Sequence, residues 1–429
     1  MKRFLKKSVL SILAFLAKRK LKTMRASIVG ITGSVGKTSC KDLVAHLLET
    51  HHRVLKSEKS YNSEFGLLLT ILQQKSGFSS PVQWLVTLFK AFGYTFFNRE
   101  TFDYLILEMG VDKSGDMDYL THIAPPDIAI ITAIKPVHLD NAQFSSIEDV
   151  FREKKKIVSR MKPDGTAYLS LDDNHIKTLS DDKEHNHILY SQKKKADVWA
   201  SDIRQTEEGL SFTVHYGDED SFTAFVPLYG EYQLSIVLPA IIAARETGIP
   251  VQTIQETLKG YHLPPGRMTL IEGIDNLLLL DSSYNASPEA VKEALHVLHF
   301  FGTKRGARRV FIFGNMNELG DYSKSLHQDV GRHIPSKADV LITVGEDVHY
   351  AAETALKNGM PSKHIIECRD VHKAIERYRE IKKPGDVVLA KGSQNNVRLE
   401  CFVEAFMLRP EEAQDTLVRQ GKNWENIAP

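Results

Sequence analysis

A short apolar run, Ala26 to Ile31, leads into Gly33-Ser34-Val35-Gly36-Lys37-Thr38-Ser39, and Ser39 to Thr50 then places Leu43, Leu47 and Leu48 on one side of a helix. Few folds accommodate that order. A buried strand must turn sharply into a helix, and glycines permit the turn while letting backbone N–H groups come close to a ligand. The helix adds unsatisfied N–H donors and the positive end of its dipole. Lys37 supplies a mobile cation and Thr38 a hydroxyl suited to Mg2+. Gly33, Ser34, Gly36, Lys37, Thr38 and Ser39 therefore read as a cradle for phosphates. Gly33 stands only three residues before Gly36, which is shorter than the common nucleotide-binding loop.

The rest of the chain repeats the strand-then-helix theme. Phe102 to Met109 reads as a buried strand that ends in the carboxylate Glu108, Asp127 to Thr132 as another, and Gly165 to Ser170 as a further one, with a helix over Ile147 to Val158. Such repetition predicts an α/β protein with a mainly parallel sheet covered on both faces. Short alternating segments between Val198 and Val237 predict an antiparallel appendage, followed by helices over Leu238 to Glu246 and Val251 to Leu258. Leu263-Pro264-Pro265-Gly266-Arg267 marks a boundary. A second α/β unit follows, with strands over Leu277 to Leu280, Arg309 to Phe313, Val340 to Val344 and Asp386 to Ala390. The expected organisation is a basic segment 1–24, a central domain 25–264 and a smaller C-terminal domain 265–429. A length of 429 residues suits two or three domains.

Fifty-five Lys and Arg against 54 Asp and Glu leave no electrostatic footprint for nucleic acid, and none is expected as a partner. Cys40, Cys368 and Cys401 are scattered, which suits a reducing, cytoplasmic compartment. Two segments depart from this bland picture. Residues 1–24 carry eight Lys and Arg around an apolar run too short to span a bilayer, with Leu5, Val9, Ile12, Leu13 and Leu16 on one helical face. Three readings stay open: a helix in the surface of an anionic membrane, at its inner face; a helix packed on the protein itself; and a signal peptide, which the trailing Lys18-Arg19-Lys20 opposes. Between Gln73 and Glu100, a cluster of Trp, Phe, Tyr and Leu reads as a core helix or as a membrane or partner contact, centred on 76–98.

The shortened loop resembles that of the Mur ligases. Further stretches occur in the order of the branch that adds a D-alanyl-D-alanine dipeptide to a nucleotide-linked muramoyl tripeptide. They are Asn62-Ser63-Glu64-Phe65-Gly66, Leu107-Glu108-Met109-Gly110, Thr132 through His138-Leu139, Asp172-Asp173 and Pro265-Gly266-Arg267. Asp281-Ser282-Ser283-Tyr284-Asn285-Ala286, Gly314 to Gly320 with His327, and Lys391-Gly392-Ser393 complete the series. The resemblance spans about Met24 to Leu408. It implies a phosphate-loop ATPase domain, a Rossmann-like C-terminal domain, and a ligase that uses ATP and Mg2+ to activate a carboxylate as an acyl phosphate for attack by an amine.

The resemblance also implies roles. Glu108 would share Mg2+ with Thr38, where the alternative is a solvated strand end. His138 would lie at a second Mg2+, where a lone loop histidine is otherwise structural. Lys154 matches a lysine that is often carbamylated, although Lys154-Lys155-Lys156 blurs the register and a solvated helix face is the alternative. Arg267 would reach nucleotide phosphate or else join the domains by a salt bridge. Asp281, Tyr284 and Asn285 would contact ribose and adenine. Asn62 and Glu64 would lie near the reacting groups, or merely cap a helix. Asn315, Glu318, His327, Lys391 and Ser393 would face the incoming amine. Ser282, Asn315 and Gln394 stand where the branch usually has Asp, Asp and Arg, and Ser287 where it often has Asn, so a changed amine is an open alternative.

Relatives usually carry a uridine-nucleotide domain before the loop, for which residues 1–24 leave no room. The expected acceptor is a small-molecule or lipid-linked carboxylate, the donor an amino acid or dipeptide. A protein partner could supply the missing grip. An amide ligase of another polymer or metabolite, and an ATP-binding scaffold without turnover, are the competing readings.

Overall fold

The computed structural model describes residues 3–58, 61–77, 80–136, 143–394, 397–421 and 424, the side chains from residue 6 onward. Two sheets organise the chain. The first contains β1 (Ser27–Thr32), β2 (Val54–Lys56), β3 (Tyr104–Glu108), β4 (Ile128–Ile131), β5 (Thr166–Ser170), β6 (Asn186–Ser191), β7 (Val198–Gln205), β8 (Leu210–Tyr216) and β9 (Asp220–Val226), in the order β2-β3-β1-β4-β5-β6-β7-β8-β9. Pairing is parallel from β2 to β7 and antiparallel from β7 to β9. The second sheet has the order β10-β11-β15-β12-β13-β14, with β10 (Thr269–Glu272), β11 (Leu278–Ser282), β12 (Arg309–Gly314), β13 (Val340–Val344), β14 (Ile365–Cys368) and β15 (Val387–Lys391). Only β10 runs antiparallel to its neighbour.

The first sheet is covered on both faces, as its continuous apolar strands require. On β1, Ile28 packs into the layer that holds Leu13, Leu67 and Leu107, whereas Val29 and Ile31 pack into the layer formed by the helices Lys37–Leu48 and Leu234–Glu246. β1 lies between β3 and β4, so the chain leaves its C-terminal end where strand order reverses. Open α/β sheets bind ligands in that crevice.

Several elements differ from expectation. The first of the two helices before the boundary starts at Leu234 rather than Leu238, so the antiparallel appendage ends with β9. The helix expected over Ile147 to Val158 breaks after Lys154 and resumes at Lys156. β2, β6, β10 and β14 have no counterpart in the sequence reading.

The N-terminal helix Arg3–Met24 packs on the protein's own body. Val9, Leu13, Leu16, Ala17 and Met24 are buried, and the larger of these contribute about 1.5–3 kcal/mol each by leaving water. Its buried stripe is rotated from the expected one, because Ile12 points outward. The partner is the helix Pro81–Phe97, started by Pro81 and capped by Ser80 Oγ, which accepts from Gln83 N. Lys20 joins the two helices: its ammonium donates to Asn98 O (2.9 Å) and Oδ1 (3.2 Å) and lies 4.3 Å from the Tyr94 ring centre. No helix among the described residues is long and apolar enough to cross a membrane.

Candidate active site between two sheets

The turn after β1 is shaped by two glycines in left-handed conformations, Gly33 at φ 148° and Gly36 at φ 81°. A Cβ at Gly33 would collide with Thr132 Oγ1, so only glycine fits. The turn is pinned to the chain after β4. Ser34 N donates to Ala133 O (2.7 Å), Ser34 Oγ donates to Lys135 O (2.9 Å), and Lys135 N donates back to Ser34 Oγ (2.9 Å). Asp173 supports the same stretch by accepting from Ile134 N (2.9 Å). These bonds hold the loop in place at the N-terminus of the helix Lys37–Leu48.

Lys37 curls over this loop, its Nζ donating to Gly33 O (2.9 Å) and Ser34 O (3.4 Å). Desolvation lowers its pKa, Glu108 opposes that shift, and Arg267 reinforces it from the second sheet's side. Thr38 Oγ1 donates to Glu108 Oε2 (2.9 Å), and Asn62 Nδ2 donates to Glu108 Oε1 (3.1 Å). Glu108 is buried at the end of β3, its own N–H donating to Ser57 Oγ (3.3 Å). Gly110 leaves the space that Asn62 occupies, and Gly110 N donates to Asn62 O (2.9 Å). This is a fitting donor set for a divalent cation: an anionic oxygen beside a hydroxyl, next to a lysine and a ring of amides.

Lys154 is fully buried, and its Nζ has no hydrogen-bond partner among the described residues. Burial drives its pKa well down, and Lys37 adds to the effect, while Asp112, Glu153 and Glu108 oppose it. The two flanking lysines lie elsewhere: Lys155 is exposed, and Lys156 pairs with Asp118 (2.6 Å) and Glu153 (2.7 Å). An orphaned buried amine in electrostatic reach of Lys37 and Glu108 is a polar atom awaiting a partner. Glu64 opens the helix Glu64–Ile71 and is half-buried near Tyr119, whose hydroxyl its charge helps raise to about 12 after burial. His138 lies outside the described residues.

The second sheet faces this loop with a different set. Arg267 stacks on the Tyr284 ring, 4.1 Å from its centre. Gly266, at φ 72°, accepts from Tyr284 N (3.0 Å) and leaves room for Tyr284. Lys391, buried at the end of β15, donates to Ser282 Oγ (3.1 Å) and Asn285 O (3.0 Å), and its pKa is pushed down to about 7 by burial and then by Arg267. Ser393 Oγ donates to Ala286 O (3.2 Å) and accepts from Asn317 N (2.9 Å). Glu318, exposed and at φ 62°, reaches Lys37 electrostatically.

Two of the residues expected to face the amine hydrogen-bond to neighbouring backbone. Asn315 Oδ1 accepts from Val348 N (3.0 Å). His327 is buried, its Nε2 accepting from Met316 N (3.1 Å) and its Nδ1 contacting Ser323 O (2.8 Å), which fixes the Nδ1–H tautomer. Both shape the 315–319 loop. Sequence reasoning missed Arg419. Its guanidinium binds buried Glu400 (2.6 Å) and donates to Ser283 O (2.8 Å) and Tyr284 O (3.2 Å), clamping the segment that carries Tyr284. Only its left-handed backbone, φ 55°, sets it apart, and that is invisible in sequence.

Asp281 is buried at the end of β11, with Oδ1 accepting from Ser283 N (3.0 Å) and Oδ2 without a hydrogen-bond partner among the described residues. Burial raises its pKa to about 6. The native state therefore binds this proton more tightly than the unfolded chain, and stability is lost as pH rises from the unfolded value near 4 to about 6. Asp281→Asn removes that loss. Urea unfolding should show the variant more stable by roughly 3 kcal/mol at about pH 8 and equal to the parent below about pH 3. An offset that does not change with pH would disprove the assignment.

The model of the Mur ligase middle domain matches residues 31–244, and that of the Mur ligase glutamate ligase domain matches 266–394. UDP-N-acetylmuramoyl-tripeptide--D-alanyl-D-alanine ligase of Bacillus subtilis (strain 168) is 29% identical over 404 residues, covering 94% of this chain and 80% of the relative. The MurF ligase of Thermotoga maritima in complex with ADP superposes with a TM-score of 0.76 at 26% identity, covering 94% of this chain and 84% of that one. MurF from Acinetobacter baumannii shares the fold, with a TM-score of 0.76 at 22% identity over 91% of this chain and 79% of its own. The first model matches the sheet that bears the phosphate loop and the second matches the sheet that bears Lys391; the chain belongs to the Mur ligase family, ATP- and Mg2+-using enzymes that join a carboxylate to an amine.

Proposed function

We propose that this chain joins the amine of a D-amino dipeptide to the terminal carboxylate of a muramoyl peptide. The carrying observation is the pairing of Thr38 and Asn62 on Glu108, with Lys37 and orphaned Lys154 beside them. The identity to the Bacillus subtilis ligase over nearly the whole chain supports the substrate pair.

In this reaction a carboxylate oxygen attacks the terminal phosphorus of ATP and the bond to ADP breaks. The amine then attacks the acyl carbon, the amide C–N bond forms, phosphate leaves, and the spare proton passes to solvent. The side chains divide the work by charge. The amides of 35–38 and Lys37 bind the phosphates and offset charge that grows in the transition state. Thr38 and Glu108 would hold Mg2+, which supplies further positive charge at the phosphoryl oxygens. Asn62 orients Glu108. Arg267, stacked on Tyr284, presents a cation to the loop from the other sheet, and Tyr284 and Asn285 line the nucleoside side, with buried Asp281 holding Ser283 N beneath them. Lys391 and Ser393 act as positioning residues, because their polar atoms bind the 282–286 segment. Glu64 and Glu318 flank the cleft where acid and amine meet.

The test supplies ATP, Mg2+ and D-alanyl-D-alanine with a muramoyl tripeptide carried either on UDP or on a lipid. ADP release should require both acid and amine in at least one arm, with a product of the combined mass less water. The arm that reacts identifies the carrier. ADP release that needs neither substrate, or none in either arm, would overturn the reading.

A further inference from the structure

The helix Pro81–Phe97 is amphipathic in an inverted sense. Its inward face is mostly small, with Thr87, Ala91 and Thr95 at four-residue spacing beside Trp84, and this lets it lie close to the N-terminal helix. Its large side chains point away from the protein: Phe89 is 82% exposed, Phe97 79% and Leu85 68%, with Val82, Val86, Phe92 and Phe96 beside them. The N-terminal helix continues this crest with Phe15 at 64% and Ile12 at 47%. A contiguous apolar patch of that kind on one side of a protein marks an interaction surface.

The charge pattern indicates what covers it. Neither helix contains a single Asp or Glu. The N-terminal helix exposes Lys6, Lys7, Arg19 and Lys22, and Lys90 borders the aromatic row. On the helix wheel, Lys7, Arg19 and Lys22 share the outward arc of Phe15. Cations interleaved with aromatics match anionic headgroups above acyl chains. A neutral protein groove would leave those lysines uncompensated. The platform is rigid, because Lys20 is locked between Asn98 and Tyr94 beneath it.

We infer that the paired helices Arg3–Met24 and Pro81–Phe97 form a docking face for an anionic bilayer surface, on which the protein lies without crossing. The face adjoins the active site. Lys6 Nζ stands 5.6 Å from the Phe65 ring centre, and Phe65 belongs to the helix that begins at Glu64. Docking therefore brings the Glu64 end of that helix near the headgroups. The inference does not depend on which acid is ligated.

The test is co-sedimentation of the full chain with vesicles of phosphatidylcholine, with and without phosphatidylglycerol. The protein should pellet with the anionic vesicles, release at high salt, and stay in solution with phosphatidylcholine alone. Phe89→Glu with Phe97→Glu should weaken binding at least about tenfold, and Lys7→Glu with Arg19→Glu likewise. All four sites are exposed, so melting temperatures should stay within about a degree or two of the parent. Absence of binding to anionic vesicles, or binding indifferent to both variants, would overturn the inference. So would a dimer in light scattering that the Phe variants disperse, since a second copy would then occupy the face.

Discussion

Lys37→Ala should abolish turnover, with acid- and amine-dependent ADP release falling by at least about a thousandfold. The ammonium is the one cation carried by the phosphate loop itself, and it rests on Gly33 O and Ser34 O. Swinging to a phosphate exchanges two neutral acceptors for anionic ones, so the gain appears when charge builds up on the phosphoryl group. The loop should survive the substitution. Its shape depends on Gly33, Gly36 and the Ser34–Lys135 bonds, none of which involves the Lys37 side chain. Thermal unfolding of the variant should therefore shift by a few degrees at most. Lys37→Arg should also fail, because a planar fork cannot follow the path of a point charge through so tight a turn. Turnover within threefold or so of the parent would remove this loop from the chemistry.

Lys154→Met should move stability and activity in opposite directions. The parent buries an amine with no partner among the described residues, at a cost that the apolar thioether avoids; the gain should be about 1–2 kcal/mol in urea unfolding. The sign of its pH dependence follows from the lowered pKa. As pH falls below the unfolded value near 10, the unfolded chain takes up a proton that the native state refuses, so the advantage of Met grows toward neutral pH. Activity should fall at least about a hundredfold, because the variant loses the functional group beside Lys37 and Glu108. A neutral amine can also add to CO2, forming a carbamate and releasing a proton. A carbon-13 signal from labelled bicarbonate should then be present in the parent and missing in the variant. A less stable variant, or one with full activity, would show Lys154 to be ordinary packing.

Local chemistry made the phosphate turn legible in sequence. Gly33, Gly36, Lys37 and Thr38 each carry a constraint that holds whatever surrounds them, and the buried strands Tyr104–Glu108 and Ile128–Ile131 announce themselves by continuous apolar runs. Tertiary packing hid the rest. The run Lys154-Lys155-Lys156 contains three chemically identical candidates, and only the packing of the helix Ile147–Lys154 decides that the first is buried. Ile12 fits the apolar stripe of the N-terminal helix as well as Leu13 does. The small residues of Pro81–Phe97 set the rotation that leaves it outside. Short strands such as Val54–Lys56 and Thr269–Glu272 were missed because they are half-buried at sheet edges, where alternation is weak. The bonds of Asn315 to Val348 N and of His327 to Met316 N join positions 33 and 11 residues apart, which no motif encodes.

A crystal structure with a non-hydrolysable ATP analogue and Mn2+, its anomalous signal marking the ion, tests the central claim most directly. The terminal phosphates should lie on the amides of 35–38 with Lys37 turned toward them, and the manganese peak beside Thr38 and Glu108. Nucleotide bound elsewhere, with Lys37 still folded on Gly33 and no metal at Glu108, would contradict it.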